Sequence, residues 1–485
     1  MNIHPCTTIR EAEQELFRSG VISSTELMSK VVDRLWQAVQ QEPEFRGWSP
    51  RRVVVYAGRG NNAGDALGLA ARFRCPITLR AVCPPRDFTP ESAQQFAQLA
   101  CHELSTAAPE AEDELLIIDG LLGSGATGAL RPAYAELVAE LNALRATGRR
   151  CRTLSIDVPT GLQADTGEVP GEAVRADVTA VIGCVKPGML ADRAEDYVGR
   201  LLCLPLPEVM LPESPGVQVA TEEVLQWLPH RAYSCYKNRA GRVNIVAGST
   251  GYAGAAQLCA EAALAAGAGL VALYCKEDIY PVLATRVAPE IMVNPISSYA
   301  EVPVDGARAL VVGPGLGRQK GNEARSLHDL LLRCTLPMVV DADALNMTAD
   351  FGWELPANAI LTPHPGEMRR LFPAGTSYSR VECARRYTDI QPCTLVLKGA
   401  RTVVTNGRET WFNSTGGPYM ANGGQGDVLA GTIGALAAQG LSPMQAAVLG
   451  AWSCGQAAAV AAGQAAHART IRASQVIAAL PATLS

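Results

Sequence analysis

Short runs of Val, Ile, Leu and Ala recur along this chain, and run after run ends in a loop of glycine, asparagine or aspartate. "RRVVVYAG" leads into "GNNAGD", "ELLIIDGLLG" into "GSGATG", and "TLSIDVP" into "TGLQADTGEV"; "ITLRAV", "DVTAVIG" and "RLLCLPL" are further runs. Each run has strand length, and between several of them there is room for a crossover helix. Strands apolar on both faces belong in a parallel sheet covered by helices on each side. The pattern therefore predicts a doubly wound α/β sheet. Upstream, residues 8–40 read as one or two amphipathic helices. A stretch rich in Pro, Glu and Ser (205–223) breaks the pattern, which then restarts with "RVNIVAGS", "GLVALYC", "ALVVGPG", "PMVVDAD", "AILTPH" and "TLVLKG". "RTVVTNG" and "ETWFN" form a hairpin around Asn406 and Gly407, and 427–463 reads as two Ala/Gly-rich helices.

A chain of 485 residues holds two to four domains at about 100–200 residues each. The reading here is 1–210, a linker at 211–223, and 224–485. A net charge of −5 argues against a nucleic-acid footprint. The fourteen cysteines form no CxxC pair and no zinc spacing, which predicts free thiols in a reducing cytoplasm. No stretch reaches about 18 apolar residues unbroken by glycine or charge, so no membrane is expected. The apolar helix at 443–463 suits either core or a partner surface.

In the first half, Asn61 and Asn62 tolerate left-handed backbone, and Asp65 either acts on a ligand or caps the helix that follows. The loop is not G-x-G-x-x-G, so as a nucleotide signature it is weak. Asp119 and Asp157 stand at two further strand ends. Three unrelated turn residues would explain the set blandly; a pocket binding a cation beside an anionic ligand explains it together.

In the second half, "ANGGQGDVLAG" (421–431) surrounds Asp427 with glycines. Backbone amides of Gly423 to Gly426 suit a phosphoryl group, and Asp427 can accept a proton from a hydroxyl. Asp341, Asp343, His364, Glu367 and Lys398 also follow strands. Singly, His364 reads as structural, Asp343 as a cap and Lys398 as solvated. Carboxyl ends of parallel strands share one crevice, which favours a common site.

"GNNAGD", "DGLLGSG", "DVPTGLQADTGEV" and "RADVTAVIGCVKPGML" resemble the Rossmann-like epimerase domain acting on hydrated NADH and NADPH, over roughly 50–206. The resemblance implies potassium held by Asn62, Asp119 and Thr160. It implies substrate contacts from Asn61, Asn62, Ala63, Gly64 and Asp65, and from Gly123, Ser124, Gly125, Ala126, Thr127, Gly128 and Ala129. Asp157 would bind substrate and act as acid/base. Ala63 and Ala66 stand where that family carries glycine, and their methyls are expected to crowd a phosphate.

"GSTGYAGAA", "GPGLG", "DADALNM", "LTPHPGEM", "LKGARTVV" and "GDVLAGTIGALAAQGLSP" resemble the ribokinase-like, ADP-dependent dehydratase of the S form of hydrated NAD(P)H, over about 225–480. That implies hydrate contacts from Ala256, Gly317, His364 and Asp427, with Asp427 catalytic. Lys398, Gly399, Ala400, Arg401, Thr402 and Gly426 would contact the adenine nucleotide, which arrives with magnesium. Tyr236, Asn238, Asn422 and Cys454 depart from the family's usual residues. The family tends to assemble, so a homo-oligomer is expected. ADP against ATP stays open, since no residue is identified that reads a γ-phosphate. Two other readings remain: a kinase for a vitamin-like alcohol, and a first domain that binds without turnover.

Overall fold

The computed structural model describes residues 1–42, 45, 48–109, 114–147, 151–213, 216–464 and 469–484. The chain divides into two compact units, Met1–Val219 and Ala220–Ser485.

The first unit holds β1 (Arg52–Ala57), β2 (Ile77–Ala81), β3 (Leu104–Ser105), β4 (Leu115–Gly120), β5 (Arg152–Ile156), β6 (Val178–Ile182) and β7 (Arg200–Leu204). They lie in the order β3-β2-β1-β4-β5-β6-β7, every neighbouring pair parallel. Side chains alternate across a strand. Val53, Val55 and Ala57 of β1 therefore pack with Leu35 and Leu67 on one face. Val54 and Tyr56 pack with Val138 and Leu141 on the other. One unbroken apolar run thus serves two cores, as a doubly wound sheet requires. The N-terminal region is two helices, Cys6–Arg18 and Ser24–Gln41, the second opened by a capping box between Ser23 and Glu26.

A short strand, β8 (Val217–Ala220), lies within the stretch read as irregular linker; residues 214 and 215 of that stretch lie outside the described residues. The second unit carries β9 (Arg242–Val246), β10 (Leu270–Lys276), β11 (Ile291–Ile296), β12 (Ala309–Val312), β13 (Met338–Val340), β14 (Ala359–Leu361), β15 (Thr394–Leu397), β16 (Val403–Thr405) and β17 (Thr410–Asn413). Their order runs β11-β10-β9-β12-β13-β14-β15-β16-β17. Pairing is parallel as far as β15 and antiparallel through the β16–β17 hairpin.

The apolar pattern missed β3 and β11. The first is two residues long. The second contains Pro295, which reads as a breaker but is tolerated because β11 pairs only with β10 in this run.

Helix Pro443–Gln464 is long and apolar enough by mean hydropathy to cross a membrane, although Gly450 and Gly455 break its apolar run, as the sequence reading has it. In the fold it is core, its apolar window 83% buried. It packs on helix Gln425–Ala438, which in turn approaches helix Ala253–Ala265 so closely that a Cβ on Gly431 would stand 2.0 Å from the Cys259 carbonyl oxygen. Gly431→Ala is therefore expected to cost about 1–3 kcal/mol. Thermal unfolding followed by circular dichroism should show a melting point several degrees lower. Gly254→Ala, where an added Cβ meets nothing within 4 Å, should leave it unchanged or raised.

Candidate active sites at two strand edges

In the first sheet the strand order reverses between β1 and β4, so the loops after those strands part and leave a crevice. A cavity of about 630 Å³ lies there. Arg59 to Asn62 and Asp65 line it from the β1 side, Leu121 to Ala126 from β4, Asp157 from β5, and Lys186 from beyond β6.

Helix Asn61–Ala70 begins at Asn61 with Gly60 as N-cap. Asn61 and Asn62 are therefore in its first turn, not left-handed. Asp65 is no cap but an interior residue facing the cavity. Its Oδ1 is buried and pairs with no group among the described residues. Burial, with Asp157 and Glu13 nearby, pushes its pKa well above the carboxylate range.

The expected clash of Ala63 and Ala66 with a phosphate does not arise. Both are fully buried members of the core. The Ala66 Cβ lies 2.4 Å from where a Cβ on Gly120 would stand, so its methyl is turned to the sheet. Gly64 is likewise spent on packing, since a Cβ there would meet Met28 Sδ at 2.6 Å. Neither Ala63 nor Gly64 lines the cavity. Thr127, Gly128 and Ala129 are exposed beyond it, and Gly128 exchanges hydrogen bonds with Gln163.

Asp119 is buried below the cavity floor. Its carboxylate accepts from Leu121 N (3.2 Å), Ser155 Oγ (2.9 Å), Thr160 N (2.9 Å) and Thr160 Oγ1 (2.7 Å). Burial raises its pKa against these donors. Among the described residues it has no ion-pair partner.

Asp157 has φ +66, a left-handed conformation that a non-glycine residue rarely adopts. Its Oδ2 accepts from Ser124 N at 3.1 Å, and its Oδ1 contacts the Lys186 ammonium.

Sequence reasoning missed the wall supplied by helix Cys6–Arg18. Cys6, Ile9, Arg10 and Glu13 line the cavity at i, i+3, i+4 and i+7, one helical face. That spacing was visible; which sheet edge the helix would cover was not. Burial and Asp157 raise the Glu13 pKa, with Lys186 and Arg10 opposing.

In the second sheet the order reverses between β9 and β12. The two loops flanking that point are tied by Gly248 N to Pro314 O (2.9 Å) and Ser249 Oγ to Gly315 O (2.8 Å). Gly317 N donates to Asp343 Oδ2 at 2.8 Å, which makes Asp343 a loop anchor. Asp341 occupies the N-cap position of helix Ala342–Phe351, and Ala342 beside it has φ +48. Ala256 is fully buried under Gly248.

Lys398 is not solvated. Its Nζ lies 2.9 Å from Asp341 Oδ1 and 3.8 Å from Glu367 Oε2. Burial works against its charge, but Asp341 and Glu367 outweigh it and raise its pKa. Thr362 Oγ1 donates to the same Asp341 oxygen at 2.7 Å. His364 caps helix Pro365–Leu371, its Nδ1 accepting from Gly366 N and Glu367 N. Gly399 and Ala400 are exposed, while Arg401 and Thr402 are buried at the entry to β16.

Asp427 is the third residue of helix Gln425–Ala438, whose N-cap Gly424 has φ +95. No side chain caps this helix. Its first amides and positive dipole end therefore suit an anion. A Cβ on Gly426 would stand 3.4 Å from Lys398 Nζ and 3.9 Å from Asp341 Oδ2, so the helix start faces the ion pair. Burial, then Asp341, push the Asp427 pKa up to about 7, with Lys398 pulling down and Asp343 adding to the rise. A carboxyl poised there accepts a proton at neutral pH.

The departures resolve individually. Asn422 Nδ2 donates to the carbonyls of Tyr419 (3.1 Å) and Ile471 (2.9 Å), and Gln425 Nε2 donates to its Oδ1 (3.2 Å), bracing the glycine loop. Cys454 is buried against Thr432 inside the unit. Tyr236 and Asn238 are exposed.

Two family models match the chain. One, described as NAD(P)H-hydrate dehydratase, covers 243–481; the other, YjeF-related protein N-terminus, covers 24–188. The chain is 35% identical to the bifunctional NAD(P)H-hydrate repair enzyme Nnr of Escherichia coli, over 94% of this chain and 89% of the relative. It is 34% identical to the enzyme of that name from Coxiella burnetii, over 91% of each. Among solved structures, an ADP/ATP-dependent NAD(P)H-hydrate dehydratase from Bacillus subtilis, co-crystallised with ATP/Mg2+, is similar at 29% identity and TM-score 0.50. The match covers 55% of this chain and 97% of that one.

Asp427 also marks stability. Its folded pKa lies above its ordinary value, so the fold binds the proton more tightly than the open chain does. Stability falls as pH rises from about 4 through about 7. Asp427→Asn should match the parent's melting temperature near pH 4 and exceed it by a few degrees at about pH 8.

Proposed function

Because the chain belongs to the family of bifunctional NAD(P)H-hydrate repair enzymes, we propose that its two units divide the repair of hydrated NADH and NADPH between them. Residues 1–210 interconvert the R and S hydrates. Residues 224–485 dehydrate the S form using ADP, with AMP and phosphate as products. The similarity over 94% of the chain favours this over a vitamin kinase, which leaves the first unit without a task.

The observation that carries the dehydratase half is Asp427, half-buried at an uncapped helix start that faces the Lys398–Asp341 pair. Hydroxide is a poor leaving group. Asp427 takes the proton from the C6 hydroxyl of the hydrate as that oxygen attacks the β-phosphorus of ADP. The amides of Gln425 and Gly426 and the Lys398 ammonium meet the charge that develops on the phosphoryl oxygens. The ring nitrogen lone pair then expels phosphate from C6, and loss of a C5 proton restores the dihydropyridine. Lys398 to Thr402 and Gly426 hold the nucleotide, and magnesium arriving with it would neutralise phosphate charge.

In the first unit Asp157 serves proton transfer at the C6 oxygen while the ring nitrogen assists C–O cleavage; re-addition of water on the other face gives the epimer. Asn62, Asp119 and Thr160 are assigned to potassium. The fit rests on Asp119, a buried carboxylate with no ion-pair partner among the described residues, and a monovalent cation would supply the missing charge.

The units are separable by assay on mixed R and S NADH hydrate, following recovery of NADH absorbance. Asp427→Asn should lower ADP-dependent use of S by about 10²–10⁴-fold and leave epimerisation intact. Asp157→Asn should leave S consumption at the parent rate and slow use of R to its spontaneous epimerisation. Near-normal dehydration by the first variant removes Asp427 from the mechanism.

A further inference from the structure

We propose that Lys186 is the positioning residue of the first site, holding the Asp157 carboxylate as a fixed, charge-balanced proton acceptor. The inference rests on Asp157 being the group that moves protons there.

Lys186 lies four residues beyond β6, in the sequence "IGCVKPG". Its side chain is 1% exposed although it lines the cavity. A lysine rarely gives up water in this way without a carboxylate partner. Its ammonium contacts Asp157 Oδ1 and donates to Ile182 O at 3.1 Å. That carbonyl belongs to the last residue of β6, so the ammonium is referenced to the sheet. On the other side, Ser124 N holds Asp157 Oδ2 at 3.1 Å. The two carboxylate oxygens are thus pinned from two different loops, and the backbone beneath them sits at φ +66. The carboxylate plane is therefore set by tertiary contacts, not by local rotamer preference.

Charge balance makes the same point. Glu13 and Asp65 line the same cavity, so with Asp157 three carboxyl groups share it. Arg10 and Arg59 also line it, but both are exposed. Lys186 is the buried cation among the lining residues, and it touches Asp157 rather than Glu13 or Asp65. Epimerisation needs a proton delivered to the departing C6 hydroxyl, which leaves as water as the C6–O bond breaks. It needs a proton taken from the water that forms the new C6–O bond on the other face. A carboxylate held against an ammonium suits the second task. Glu13 or Asp65 then supplies the first proton, and the proton taken up by Asp157 passes back to that carboxyl before the next turnover, so the enzyme ends as it began.

The test uses the full chain and R-hydrate epimerisation. Lys186→Ala should lower kcat at least 100-fold while KM changes less than about threefold, and millimolar ethylammonium should restore at least tenfold of that loss. Lys186→Arg should keep more activity than Lys186→Ala. ADP-dependent dehydration of S should be unaffected in each. Loss of kcat with no rescue by the amine, or a rise in KM that accounts for the whole loss, overturns the proposal. If Lys186→Ala fails to fold, Lys186→Arg and Lys186→Gln decide: equal kcat in the two overturns it, whereas a kcat at least tenfold higher in Arg supports it. Asp157→Asn checks the underlying reading separately, because parent-rate epimerisation by that variant removes Asp157 whatever Lys186 does.

Discussion

In each unit a lysine ammonium is withdrawn from water to meet an aspartate at the end of a parallel strand. Lys186 meets Asp157 after β5, and Lys398 meets Asp341 after β13. An isolated charge in such a place would cost several kcal/mol, so each partner makes the other tolerable. The consequences differ. In the first unit the paired aspartate itself faces the cavity. In the second, the pair sits beside Asp427, where burial and then the Asp341 charge, against the pull of Lys398, push a neighbouring carboxyl's pKa up to about 7.

The sheets make these pairs possible. Parallel pairing sends the C-terminal loops of the paired strands to one edge, and a reversal of strand order opens a gap between two of those loops. β1 and β4 flank the gap in the first unit, β9 and β12 in the second. The glycines divide into two kinds around it. Gly64, Gly120 and Gly431 allow close packing of helix on helix or helix on sheet, where an added Cβ would meet heavy atoms at 2.0–2.6 Å. Gly423 has nothing within 4 Å of an added Cβ, and Gly426 meets only the Lys398–Asp341 pair. The first kind builds the scaffold and the second leaves room for a ligand.

This division explains the two alanines in the first loop. Ala63 and Ala66 occupy the buried side of helix Asn61–Ala70, while Asn61, Asn62 and Asp65 occupy the side facing the cavity. A helix turns about 100° per residue, so neighbours in one motif can face opposite ways. Motif membership alone did not say which. The same reasoning places Cys454 in the core and gives Asn422 a bracing task.

Much was legible in the order of residues. Apolar runs ending in Gly, Asn or Asp located most strands, because a strand buried on two faces has no polar position to spare. Asp119 and Asp157 in the first unit, and Asp341 and Lys398 in the second, were legible as strand-end residues, since parallel topology carries such ends to one edge of each sheet. Sequence could not reveal that the first helix would lay Arg10 and Glu13 along the cavity, that Lys186 would be buried against Asp157, or that Lys398 would be paired rather than solvated. Nor could it reveal that Asp427 would titrate near 7. These depend on contacts between residues far apart in the chain, and on how much water the fold leaves around a charge. Local pattern encodes the direction in which a strand or helix buries its face. Only the assembled fold sets the distances and the dielectric surroundings that turn a charged side chain into an acid, a base or a counter-ion.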